Sequence, residues 1–337
     1  MQPLALARIL GARAGIAPVP HSLGFELTHL CNLACTYCDR HTPSSTEMSR
    51  EQILGALAQF VELGTRVVSL DGGEPLTHPH VHEIAAFLVQ HGVTVHMNTN
   101  GILVPKRLAT IRLVSRVKIS LDGPRTAHDR MRGAGAFDKA MAGIDAAREA
   151  GAPVELTCVI GLHNYELVDE LLDFVEARGL PIVFQPVRPS LFLDSPRDGS
   201  SFVPAAAQVR RAFRRVEARK RGGSPVHNRW SSLRHFRRYP EPTRVPCAAG
   251  IINVTLGPEG DLHHCGQVSR AHDAPNVVEV GAGTAFDRLV RGGCSECWCA
   301  RVVEENLAWG GRFDQMLEPA EGKAEPSRGE RRHLPVV

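Results

Sequence analysis

Two periods of apolar residues alternate along the first two-thirds of the chain. Short, β-branched, apolar runs stand at 24–28, 66–70, 93–97, 117–121, 154–160 and 181–185. Runs of this length and composition predict buried parallel strands. Helical periodicity fills the intervals. The first helix is the best marked: Ser49 and Gln52 have capping-box spacing, Ile53, Leu57 and Phe60 share one face, and Gly64 is placed to end it. Further helices are predicted over 79–91, 105–114, 136–150 and 165–178. Six consecutive βα units predict an α/β fold with a parallel, right-handed array. Eight units would close a barrel, so six predict a partial (β/α)6 TIM-like barrel with its chemistry at the C-terminal strand ends.

The pattern then changes. A basic helix is predicted over 209–221, followed by Arg229-Trp230 and the run Arg234-His235-Phe236-Arg237-Arg238. This stretch reads as a solvated linker, with a substrate-site wall facing an anionic or polar group as the sharper alternative. Val254-Thr255-Leu256 and the turn from Gly257 to Gly260 read as a β-hairpin. The expected divisions are an amphipathic N-terminal helix over 1–20, the partial barrel over 21–195 and the basic linker over 196–242. A small domain of hairpin plus helix follows over 243–312, then a disordered tail over 313–337, rich in Glu, Lys, Arg, Gly and Pro.

Composition narrows the class. Of 337 residues, 43% are hydrophobic and 22% charged, which suits a globular chain. A net charge of +3 is too small to demand nucleic acid or a membrane surface. The absence of a long apolar run argues against a membrane span, and the N-terminus lacks a signal-peptide pattern. Nine cysteines fall into two groups with Cys158 alone between them. Tight clusters in a chain of this length point to metal ligation in a reducing, cytoplasmic setting rather than to disulfides.

The first group is Cys31-Asn32-Leu33-Ala34-Cys35-Thr36-Tyr37-Cys38, directly after the first strand. Three thiolates on one short loop can wrap three corners of a [4Fe–4S] cube and leave the fourth iron open to a chelating ligand. A zinc loop or a redox-sensitive thiol group is the plainer alternative. Asp71-Gly72-Gly73-Glu74-Pro75 follows the second strand, where two glycines permit close backbone approach and a carboxylate can meet an ammonium.

Together these motifs resemble the radical S-adenosylmethionine (SAM) superfamily, over roughly residues 23–188. The resemblance implies that Cys31, Cys35 and Cys38 hold a [4Fe–4S] cluster, with Tyr37 as the aromatic residue before the last cysteine. SAM would chelate the open iron. Gly72, Gly73, Glu74 and Pro75 would receive its amino group. Ser120 and Asp122 would bond the ribose, Arg132 would pair with the carboxylate, and Val159 and Ile160 would line the adenine. Asn98 and Asn100, at the third strand end, are candidates for SAM or substrate.

The second group resembles the twitch and SPASM extensions of the same superfamily. Cys247 is followed by Gly260 and then Cys265 at the matching spacing, and Cys294-Ser295-Glu296-Cys297-Trp298-Cys299 supplies further thiols. Five cysteines fit one auxiliary [4Fe–4S] cluster, assigned to Cys247, Cys265, Cys294 and Cys297; Cys299 is in excess, either replacing Cys297 or standing as a free thiol, and tetrahedral zinc is the alternative. Among lone residues, Cys158 reads as a buried small hydrophobe and His263-His264 as hairpin surface. Gln185 and Arg188, at the sixth strand end, are candidates for substrate contact.

Cys299 and Cys158 are candidates for returning hydrogen in a redox-neutral reaction. The expected activity is oxidation of a small-molecule carbinol, in a sugar or aminocyclitol, to a ketone, as in antibiotic-pathway dehydrogenases with similar spacing. The auxiliary cluster would take the electron, and a flavodoxin or ferredoxin would supply the initial one. Modification of a ribosomal peptide is the second reading, although few residues precede Cys31 to hold a leader-binding domain. A non-catalytic iron–sulfur or zinc protein is the third.

Overall fold

One sheet organises the chain. The computed structural model describes residues 11–12, 18–39, 46–188, 201–241, 245–266, 273–290 and 297–309. The expectations for 313–337 and for most of 1–20 lie outside them. Strands β1 (Ser22–Thr28), β2 (Val67–Gly72), β3 (Thr94–Thr99), β4 (Arg116–Ser120), β5 (Val154–Ile160) and β6 (Ile182–Pro186) run parallel in sequence order. All six predicted strands are present, within about two residues at each end.

Helices α1 (Arg50–Leu63), α2 (Val81–Gln90), α3 (Leu108–Ile111), α4 (Arg125–Arg132), α5 (Ala136–Glu149) and α6 (Val168–Arg178) connect the strands. Helix α1 has the expected start and stop. Ser49 and Gln52 close the capping box, and Gly64 ends the helix with φ 110°, a left-handed conformation that glycine adopts without a Cβ clash. The helix expected over 105–114 is reduced to one 3₁₀ turn (Val104–Lys106) and the short α3. Helix α4 was not anticipated. Its sequence, RTAHDRMR, buries only Ala127, His128, Met131 and Arg132.

Side chains on successive strand residues point to opposite faces. Leu23, Phe25, Leu27, Val68, Leu70, Val95, Met97, Val117 and Ile119 join the main hydrophobic core. Their neighbours Ser22, Glu26, Ser69, Asp71, His96, Asn98, Lys118 and Ser120 line cavities. The strands were expected to be apolar throughout; only the core row is. The inner row is polar, as suits a chamber holding polar ligands.

The expected hairpin forms, but as part of the same sheet. Strand β7 (Asn253–Leu256) pairs parallel with β1, and β8 (Leu262–His263) pairs antiparallel with β7. The order is β6-β5-β4-β3-β2-β1-β7-β8. At the opposite edge, Asn228 clasps Phe184 with two hydrogen bonds, its Oδ1 accepting from Phe184 N at 2.7 Å and its Nδ2 donating to Phe184 O at 2.9 Å.

Two helices follow β6: α7 (Ala206–Arg221) and α8 (Trp230–Phe236). The basic stretch is not merely a solvated linker. In α8, Trp230, Leu233, His235 and Phe236 are buried. His235 stacks on Trp298 with centroids 4.8 Å apart, and its Nε2 lies 2.6 Å from the Cys297 carbonyl. Short helices α9 (Val277–Val280) and α10 (Ala282–Asp287) pack near α1, and α11 (Ala300–Trp309) follows the last cysteines.

Candidate active site

The Cys31–Cys38 loop is fastened at both ends. Thr36 N donates to Met131 O in α4 at 2.9 Å, and Asn100 Nδ2 donates to Asn32 Oδ1 at 2.7 Å. Gly72 and Gly73 support it from β2. A Cβ at Gly73 would lie 2.4 Å from Leu30 O and 2.6 Å from His29 O; one at Gly72 would lie 2.4 Å from Thr28 O. The glycines therefore let this turn lie directly against the backbone leading into Cys31.

Behind the loop, Asp122 gathers three donors. Its Oδ2 accepts from Arg132 Nε at 2.6 Å and from Tyr37 OH at 2.7 Å, and its Oδ1 accepts from Val159 N at 2.9 Å. Arg132 Nη2 also donates to Tyr37 OH at 2.5 Å. Burial alone would raise the Asp122 carboxyl; Arg132 and His128 reverse that and hold it below its usual range. Burial likewise opposes the Arg132 charge, and Asp122 more than restores it.

Cys31, Cys35 and Cys38 line one cavity of about 180 Å³ with Tyr37, Asp71, Gly72, Gly73, Asn98, Asn100, Ser120 and Arg132. Burial pushes the Cys35 thiol up to about 12 and raises that of Cys31. A coordinated iron would reverse this and hold them as thiolates. Three thiols face space that also offers amide and hydroxyl groups. This donor set fits a three-thiolate [4Fe–4S] cluster with a polar ligand on its fourth iron.

Several residues expected to meet SAM are buried and do not line this cavity. Glu74 is fully buried and does not line the cavity. Its carboxylate accepts from Leu76 N at 3.1 Å, Thr99 Oγ1 at 2.7 Å and Asn100 N at 2.8 Å, and so fixes the turn from behind. Asp122, also fully buried, anchors Arg132 and Tyr37. Pro75 and Ile160 are buried away from the cavities. Cys158 sits in the core against Asn164 Nδ2 at 3.7 Å and lines neither this cavity nor the next; burial keeps its thiol protonated, but its place in the core holds it away from substrate. Arg188 lines neither this cavity nor the next.

A second cavity of about 270 Å³ continues from the first, sharing Cys38, Asp71, Gly72, Asn98, Ser120 and Arg132. Glu26, Lys118, Thr157, Val159, Val183, Gln185, Thr255, Gly266, Cys299, Ala300 and Arg301 complete it. Gln185 Oε1 accepts from Ala300 N at 2.9 Å, joining β6 to the start of α11. Glu26, Lys118 and Arg301 escaped the sequence reading. The signal was present in β4, where Arg116, Lys118 and Ser120 alternate with Val117 and Ile119.

Cys265, Cys297 and Cys299 gather around Ala249 and Val302. Cys247 is exposed, on the approach to β7, and the neighbouring Ala248 N donates to Asn306 Oδ1 at 2.8 Å. Cys294 lies outside the described residues. Among the described residues no three Cys, His, Asp or Glu side chains converge on one metal ion. A cubane spreads its thiolates over separate irons and needs less convergence, and three neighbouring thiols fit one.

Residues 25–175 match the family model described as "Radical SAM superfamily". The chain thus carries a radical SAM domain. The AdoMet-dependent heme synthase of Methanosarcina barkeri is 32% identical over 168 residues, 48% of each chain. The mycofactocin maturase MftC of Mycobacterium tuberculosis is 32% identical over 181 residues, 51% of this chain and 46% of that one. The chain spans about half the length of these curated relatives. The solved structure of native anSMEcpe with bound AdoMet and Cp18Cys peptide shares the fold, with a TM-score of 0.66, 14% identity and 80% of each chain covered.

Proposed function

We propose that this chain binds SAM and two [4Fe–4S] clusters and oxidises a polar small molecule, converting a sugar or aminocyclitol carbinol to a ketone. The observation that carries the reading is the chamber with Cys38 on one wall and Cys299 on another. It brings the Cys31–Cys38 loop and the second cysteine group to one shared cavity.

When bound, the first cluster and SAM supply a 5′-deoxyadenosyl radical that takes hydrogen from an unactivated C–H, and the second cluster accepts one electron. The chain supplies position. Asp122, Tyr37 and Arg132 brace the Cys31–Cys38 loop, and Asn98, Asn100 and Ser120 offer hydrogen bonds to SAM. Carbinol oxidation removes one hydrogen atom, one proton and one electron. The carboxylates of Glu26 and Asp71 stand in the chamber wall to receive the proton. A volume of about 270 Å³ suits a monosaccharide-sized group. A flavodoxin or ferredoxin is the proposed reductant.

Peptide modification is the second reading. The likeness to a fold solved with a bound peptide favours it, and the chamber is also large enough for one peptide side chain. The two readings separate by where hydrogen comes from. With ring-deuterated aminocyclitols and amino sugars, the product 5′-deoxyadenosine should carry deuterium. Deuterium arriving only from labelled peptides would replace the first reading with the second.

A further inference from the structure

Arg301, in the first turn of α11, reaches into the chamber across β1. Gly24 makes room for it: a Cβ there would lie 2.7 Å from Arg301 Nη2 and 3.2 Å from Cζ. The guanidinium is therefore laid against bare backbone on the inner row of β1. Its side chain is 21% exposed and lines the chamber.

Against burial, Glu305 and Asp71 favour the charge, but the N–H groups are sparsely bonded. The only hydrogen-bond acceptor of Arg301 among the described residues is Glu305, reached from Nη1 at 3.4 and 3.5 Å, at the outer limit of hydrogen bonding. Glu305 Oε1 already accepts from Ser22 Oγ at 2.9 Å. Nε and Nη2 donate to nothing there. The other cations of the chamber are committed: Arg132 to Asp122 and Tyr37, and Lys118 to Glu155 at 3.3 Å. The acids Glu26 and Asp71 belong to the same wall, and Asp71 Oδ1 accepts from Ser69 Oγ and Asn98 Nδ2. Holding an under-satisfied guanidinium in a protein interior is costly, whereas a planar fork with free N–H groups suits bidentate binding of a carboxylate or phosphate. Gln185 stands beside it. With Oε1 held by Ala300 N, its Nε2 is the remaining donor.

We infer that Arg301, assisted by Gln185, is a specificity-determining residue that binds an anionic group, carboxylate or phosphate, on the substrate. Gly24 is the residue that admits it. The inference rests on the reading of this chamber as the substrate site, and it narrows the substrate to one carrying such a group.

The test uses anaerobically reconstituted holoprotein with SAM, titrated by calorimetry with inorganic phosphate in one arm and malonate in the other. Wild type should bind at least one of them saturably, and the stronger arm names the group. Arg301→Gln should weaken that binding at least tenfold, and Arg301→Lys, which keeps the charge without the fork, by less. Gly24→Ala should also weaken it, because it displaces the guanidinium without removing charge. Iron content and circular dichroism verify that each variant is folded. No saturable binding of either anion to wild type, or equal affinity in wild type and folded Arg301→Gln, would overturn the inference. Anion binding by a wild-type protein that never cleaves SAM would instead overturn the parent reading and leave the anion site standing.

Discussion

Arg132 donates from Nε to Asp122 Oδ2 at 2.6 Å, directly behind the loop that carries Cys31, Cys35 and Cys38. The pair is buried, and Tyr37 of the loop bonds both partners. Ten residues separate them in sequence, yet together they hold α4, the end of β4 and the cysteine loop in one arrangement.

Removing one side of that pair should therefore be expensive. Asp122→Ala leaves a buried guanidinium without its carboxylate, a change that costs about 3–5 kcal/mol. Urea unfolding monitored by circular dichroism should show the loss. Iron bound by the first group should fall with it, because Tyr37 and Val159 N lose their acceptor. A shift under about 0.5 kcal/mol, the range of an ordinary surface substitution, would show that the pair does not brace the loop.

Gly73→Ala tests the contact between the two motifs. The new Cβ would lie 2.4 Å from Leu30 O, which is backbone and has little freedom to yield. The variant should keep most of its secondary structure and lose the iron of the first group. Gly55, in α1, has nothing within 4 Å of its Cβ position, so Gly55→Ala should retain full iron and serves as the control.

The pH dependence of stability has a specific source in His128. Its Nδ1 accepts from Asp122 N at 3.1 Å, which requires the neutral ring. Burial is the main cause that lowers its pKa to about 4 from 6.5. The folded state thus binds this proton less readily than the unfolded chain. Stability from His128 is fully present above pH 6.5 and is lost as pH falls from 6.5 toward 4, with a slope of at most about 1.4 kcal/mol per pH unit. His128→Asn should flatten the stability profile of the protein between pH 6.5 and 5 relative to wild type. An unchanged slope would contradict this assignment.

The second cysteine group divides by position. Cys265 is buried beside Cys297 and Cys299, while Cys299 also lines the chamber. With Cys297 as ligand, Cys265→Ala and Cys297→Ala should each drop iron from about eight to about four per chain. Cys299→Ala should hold about eight. The reverse outcome for Cys297 and Cys299 would exchange their assignments.

The parts legible from sequence were those with a strong period or punctuation. The strands, Ser49 with Gln52 at the start of α1, and the two cysteine groups all announce themselves. Helix α4 did not, because its apolar contribution is only Ala127 and Met131 amid six charged or polar neighbours, and its burial comes from Arg132 meeting Asp122. The motifs point Glu74 and Asp122 at SAM, and each also accepts from neighbouring donors that only the fold brings near. The hairpin was visible, but its pairing with β1 was not, since residues 22–25 and 253–256 meet across more than two hundred positions. Arg301 likewise needed Gly24 beside it before its direction had meaning.

The central claim is that the Cys31–Cys38 loop supports reductive cleavage of SAM. Anaerobically reconstituted protein should release 5′-deoxyadenosine from SAM when reduced with dithionite. The variant with Cys31, Cys35 and Cys38 all replaced by Ala should release none while keeping about half of the iron. Stoichiometric zinc with no iron in wild type, or 5′-deoxyadenosine release that survives in the triple variant, would contradict the account.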